Sequence, residues 1–182
     1  MKRTLPAIVF LILALSLFTG CAGKREAAEL DRWRRSLAGQ EIRFTAEIET
    51  PDGTAFTAEV CRREDTELRL LAPDTIRDVR VRVKAGSREL VYEDLVLVLP
   101  PEREGEDSPC AGPGRVLDAV LTGDILWTGR EITGPTAEFS LSEGETVLLW
   151  RDESGAPIRA ELCRDGRTGI TIAISDWQTK EN

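Results

Sequence analysis

The chain has 182 residues, 41% of them hydrophobic, with 24 basic against 32 acidic side chains, no histidine and a net charge of −8. An anionic surface of this kind repels phosphate backbones and anionic lipid headgroups, which excludes nucleic acid as a partner and leaves no basic patch to hold the protein on a membrane. The lack of histidine removes the commonest general base, the commonest zinc ligand and every Ser/His or Cys/His nucleophile pair, so no catalytic residue, metal or cofactor is assigned.

The N-terminus reads as an export signal. Met1-Lys2-Arg3 is positive, and Leu5 to Phe18 is apolar apart from Pro6 and Ser16. That run is shorter than the ~20 residues a spanning helix needs, and small residues follow it, as at a cleavage site. The segment Leu17-Phe18-Thr19-Gly20-Cys21 resembles the bacterial lipobox, with phenylalanine where leucine is usual. A thiolate is a strong nucleophile and a natural acceptor for a diacylglyceryl group. The expected organisation is a signal peptide over 1–20, a lipidated Cys21 with a short tether over 21–24, and a single domain over 25–182. Cleavage removes Lys2 and Arg3, taking the net charge from −8 to −10. The lipid, with about 0.8 kcal/mol per buried methylene, must then hold the protein to the extracytoplasmic face of a membrane.

Residues 25–38 carry Leu30, Trp33 and Leu37 at helical spacing, with Arg32, Arg34 and Arg35 around the remaining face and Gly39 as a stop. The period then changes to two. Ile42, Phe44, Ala46 and Ile48 alternate with polar residues, and Pro51-Asp52-Gly53 turns the chain into a second run through Phe56, Ala58 and Val60. Further strands are expected at 67–71, around Val79, Val81 and Val83, at 89–92 and at 95–99. The last of these, Leu95-Val96-Leu97-Val98-Leu99, is apolar on both faces and is expected to be covered on both.

Residues 100–114 read as a loop, 115–122 as a short helix, and 125–127, 136–141, 145–150, 157–163 and 169–176 as strands. The polar tail beyond Trp177 is expected to fray. This pattern is mainly β, an α+β chain with a curved, unclosed antiparallel sheet of about ten strands. One N-terminal helix and one short inserted helix are available to cover it.

After Cys21, three thiols remain. Cys61 and Cys163 lie in similar settings, Ala58-Glu59-Val60-Cys61-Arg62 and Ala160-Glu161-Leu162-Cys163-Arg164. They are the candidate disulfide pair; the alternative is that they and Cys110 are free thiols.

The order of elements resembles the LolA/LolB-like lipoprotein-carrier superfamily. The matching features are the helix around Trp33 leading into Phe44-Thr45-Ala46-Glu47-Ile48, the strand ending in Ala72-Pro73, the hairpin from Gly86 through Tyr92 to Leu95, and the late turn Asp152-Glu153-Ser154-Gly155-Ala156-Pro157. The resemblance implies an unclosed barrel with helices in its mouth and a lipid or lipopeptide ligand on the concave face. Candidate lining residues are Trp33, Phe44, Ile48, Phe56, Val79, Val81, Val116, Val120, Phe139 and Leu148. A second implied reading is a non-enzymatic partner or chaperone-like lipoprotein of an envelope protein. A germination lipoprotein that assists a cell-wall amidase is one relative of that type.

Overall fold

In the computed structural model, residues 25–84, 87–100 and 108–181 are described. The expected signal, Cys21 and tether lie outside them. Helix α1 covers 25–37. Six strands follow: β1 (Gln40–Glu49), β2 (Ala55–Arg62), β3 (Thr66–Ala72), β4 (Arg80–Lys84), β5 (Ser87–Tyr92) and β6 (Leu95–Leu99). Helix α2 (Gly112–Thr122) then leads to β7 (Ile125–Glu131), β8 (Gly134–Ser142), β9 (Glu145–Arg151), β10 (Pro157–Arg164) and β11 (Arg167–Glu181).

The eleven strands form one antiparallel sheet in the order β6-β5-β4-β3-β2-β1-β11-β10-β9-β8-β7. Two meanders therefore meet at β1 and β11, whose pairing runs from Gln40 with Glu181 to Glu49 with Thr171. The far edges, β6 and β7, do not pair with each other, so the barrel stays open. The alternation read from the sequence is realised in burial. Ile42, Phe44, Ala46 and Ile48 of β1, Phe56, Ala58 and Val60 of β2, and Ile170, Ile172 and Ile174 of β11 are buried on one face. Before β4, Asp78 adopts φ +66°, a left-handed conformation that aspartate tolerates. Its carboxylate accepts from Arg69 Nη2 at 2.8 Å.

The topology explains α2. The chain leaves β6 at one edge and must reach β7 at the other, so it crosses the apolar face. The helix begins at Gly112, earlier than the expected loop boundary. Pro113 lies in its first turn, where proline is favoured, and Gly112 and Gly114 let the backbone approach β11 and β3. A Cβ on Gly112 would lie 3.4 Å from Ile170, and one on Gly114 would lie 3.3 Å from the Thr66 hydroxyl.

Two other expectations are corrected. The tail beyond Trp177 does not fray, because β11 continues to Glu181 against β1. And β6 is not covered on both faces: Leu95, Val96, Leu97 and Val98 are exposed, because an edge strand with β5 as its sole strand partner gains no second neighbour.

Two ion pairs fasten α2. Arg62 of β2 donates to Asp118 at 2.7 Å. Arg115 donates to Glu145 of β9, which also accepts from Arg164 Nε at 2.9 Å and from the Ser142 hydroxyl at 2.7 Å. Burial opposes ionisation of Glu145, but the hydrogen bonds from Arg115, Arg164 and Ser142 outweigh it and hold the carboxyl at about 2, below its ordinary 4.5. A depressed folded value means that this stabilisation is fully present above pH 4.5 and is lost as the pH falls toward 2. Chemical denaturation should show this site's contribution falling by roughly 1–2 kcal/mol across that window. Glu145→Gln should be less stable at pH 7 and should flatten the acid limb. A variant curve parallel to the parent's would refute the assignment.

Candidate functional site

The covered face carries all but one of the lining residues expected from the sequence. Phe44, Ile48, Phe56, Val81, Val116, Val120 and Phe139 are buried in the core, and Trp33 and Val79 pack against it. Leu148 does not join them. Val147 and Leu149 point into the core, and the two-residue period of β9 turns Leu148 to the outer face, where it is half-buried.

Helix α1 lies over this face. Leu30 and Leu37, seven residues apart, are buried. Trp33 between them packs 6.4 Å from Trp177, centroid to centroid, and Trp177 stacks on Phe44 at 5.3 Å. Two arginines complete the contact. Arg151 of β9 continues the inward alternation of Val147 and Leu149 and is only 8% exposed; its guanidinium sits 5.1 Å from the Trp33 centroid. Arg34, expected on the solvent side, instead lies 5.5 Å above Phe139 and donates from Nη2 to the Gly123 carbonyl at 2.8 Å. Such cation–π contacts are worth about 0.5–2 kcal/mol. The Nε groups of Arg34 and Arg151 are buried without a hydrogen-bond partner among the described residues. Desolvation lowers the pKa of Arg151, and Glu29 partly offsets this.

The two helices are thus held differently. Ion pairs bolt α2 to β2 and β9, whereas α1 rests on two leucines and a stack of rings and guanidinium groups. Sequence reasoning overlooked the inward placement of Arg34 and Arg151. For Arg151 a signal was present: it follows Val147 and Leu149 at the same two-residue step.

Two concavities open on the outer face of the sheet. One of about 360 Å³ lies among Glu47, Glu49, Thr57, Thr171 and Ala173, beside Pro73. A larger one of about 670 Å³ lies on the outer face among Arg43, Glu59, Cys61, Arg69, Arg82 and Lys84. There Arg82 pairs with Glu67 at 3.0 Å and Lys84 with Glu89 at 2.9 Å, as expected of a solvated charged surface.

Cys61 and Cys163 are not bonded to each other; both are free thiols, as is Cys110. Cys61 sits on β2 and Cys163 on β10, three strand spacings apart, or roughly 14 Å, while a disulfide requires Cα atoms within about 7 Å. Burial pushes both thiols up from their ordinary value. Among the described residues, no group of three or more acidic or cysteine side chains is arranged to hold a metal ion. Nor is any described helix long and apolar enough to cross a membrane.

The architecture is an unclosed antiparallel half-barrel with a leading helix and a second helix across its mouth. Among solved structures, the chain is similar to an uncharacterized conserved protein from Thermus thermophilus, at 10% identity over 86% of this chain and 88% of that one, with a TM-score of 0.52. This likeness concerns the fold. The chain is also similar to a LolA superfamily protein from Nitrosomonas europaea (14% identity, 86% and 94% coverage, TM-score 0.45). A third similar structure is lipoprotein LppX of Mycobacterium tuberculosis (14% identity, 87% and 95% coverage, TM-score 0.41). No family model and no curated protein matches the chain.

Apolar packing carries most of the hold on α1, beside the Arg34 hydrogen bond to Gly123. Leu30→Ala is expected to cost about 2–4 kcal/mol. The near-UV signal of Trp33 should then be lost before the sheet unfolds. One coincident transition of unchanged stability would show that α1 is an integral part of the core.

Proposed function

We propose that this protein is a lipid-anchored extracytoplasmic lipoprotein that takes the acyl chains of a lipid or lipopeptide onto the apolar face of its half-barrel. The observation that supports this is the unequal fastening of the two helices. An apolar face shared by strands from both meanders is closed on one side by a cover, α1, that no ion pair ties to the sheet among the contacts described. Lifting α1 exposes Trp33, Phe44 and Phe139, and acyl chains replace the lost contacts at about 0.8 kcal/mol per methylene.

The anchor and the cover are coupled by sequence. Only residues 22–24 separate Cys21 from the first residue of α1, so an acylated Cys21 keeps the cover beside the bilayer that supplies its ligand. The net charge of −8 leaves the lipid as the means of attachment.

Protein extracted from membranes in mild detergent should carry lipid detectable by native mass spectrometry. Dansyl-labelled phospholipid should quench its tryptophan emission, and Trp33→Phe should reduce that quenching. Absence of both bound lipid and energy transfer would sink the reading. Separately, Cys21→Ser should move the protein from the membrane pellet to the soluble fraction; retention in the pellet would remove the anchor from the account.

A further inference from the structure

Strand β6 carries an unusual combination of features. Leu95, Val96, Leu97 and Val98 are 51–65% exposed, and Tyr92 beside them is 45% exposed. Among the described residues its strand pairing is with β5 alone, and its other side turns main-chain donors and acceptors outward. The register with β5 and β4 sets Leu97 beside Leu90 and Leu90 beside Val81, on the apolar face; Val96 and Val98 point the other way. An edge that is bare and apolar on both faces is a template for strand addition, and proteins ordinarily blunt such edges with charge or proline. Between Leu95 and Leu99 there is neither.

Charge is found instead in the turn before the strand, which Glu93 and Asp94 form. We propose that β6 is a docking edge for an extended segment of another protein, alternately apolar and flanked by basic residues, which adds a twelfth strand. Main-chain hydrogen bonds supply affinity, the apolar rows on either face select side chains, and the acidic turn before the strand favours a basic flank.

Other occupants fit less well. A two-fold pairing of β6 with the β6 of a second copy would bring together two bodies of charge −8. Burial in a bilayer would strand the outward main-chain groups without partners and would draw Glu93 and Asp94 toward the headgroups. Strand β6 is apart from the contacts of α1, so its occupancy is independent of the lipid reading.

The full chain, extracted in mild detergent, tests it directly by fluorescence anisotropy. The probe is a fluorescein-labelled peptide of alternating valine and threonine flanked by paired lysines. It should bind at least about tenfold more tightly than the same peptide flanked by glutamates. A peptide with a central proline should not bind. Val96→Lys combined with Val98→Lys, at exposed positions, should weaken the lysine-flanked peptide at least about tenfold while leaving the melting curve unchanged. The peptide comparison on the unaltered chain stands even if that variant misfolds. Equal binding of the two flanked peptides, or no binding, overturns the proposal. So does self-association, or binding to phosphatidylcholine vesicles, that the two lysine substitutions abolish.

Discussion

The ladder between β1 and β11 is the contact on which the molecule depends. Without it the chain is two meanders, residues 40–99 and 125–181, each apolar on one side and too narrow to bury that side alone. Pairing Gln40 with Glu181 at one end and Glu49 with Thr171 at the other sets Ala46 beside Ile174 and Ile48 beside Ile172, and makes a single apolar face from both halves. The same joint forces the connection between β6 and β7 to pass across that face. Helix α2 is therefore the way the topology closes, and its small N-terminal residues allow close contact with β11 and β3.

What could be read from the sequence followed from how local each determinant is. The alternation in β1 and β2 lies within the strands themselves and fixed both their limits and their inward residues. Leu95 to Leu99 was recognisable as a strand to the residue, but its surroundings were not. An apolar run records a preference for burial and says nothing of how many neighbours are present. The end of β11 failed for the opposite reason: Gln178, Thr179 and Lys180 have no apolar pattern, and their structure comes from partners in β1, at the far end of the chain. The likeness of the two cysteine segments is real, since both close strands of similar pattern. Whether the thiols meet is decided by strand order, which that local likeness does not contain. The start of α2 was hidden because Gly112-Pro113-Gly114 has the composition of a turn, and its burial rests on contacts with Ile170 and Thr66.

The candidate site divides along the same line. The apolar lining followed from period two, and only Leu148, one step out of phase, was misplaced. The cations that seat α1 were missed because arginine is normally assigned to solvent. Arg151 and Arg34 lie inside because a guanidinium can lie flat on a ring and tolerate desolvation better than an ammonium. That contact is soft. It holds Trp33 in place without the directional demands of a partly buried ion pair such as Arg115 with Glu145. The two helices differ in these two kinds of contact: ion pairs hold α2, and ring and guanidinium contacts seat α1.

An unclosed barrel must leave two edges, and here the edges are unequal. On β7 the ring of Trp127 folds over Gly129, where any Cβ would collide with it, and Arg130 and Glu131 carry charge to the end of the strand. That edge is partly covered by its own side chains and marked with charge, as solitary edge strands usually are. On β6 nothing comparable is present: no charge lies within the strand, no glycine allows a ring to fold back, and the acidic residues Glu93 and Asp94 lie in the turn before it. Exposing Leu95 to Val98 on a monomer works against solubility unless the edge has an occupant. The unclosed side of the barrel and the bare edge at β6 are thus consequences of the same missing closure between the outermost strands of the sheet.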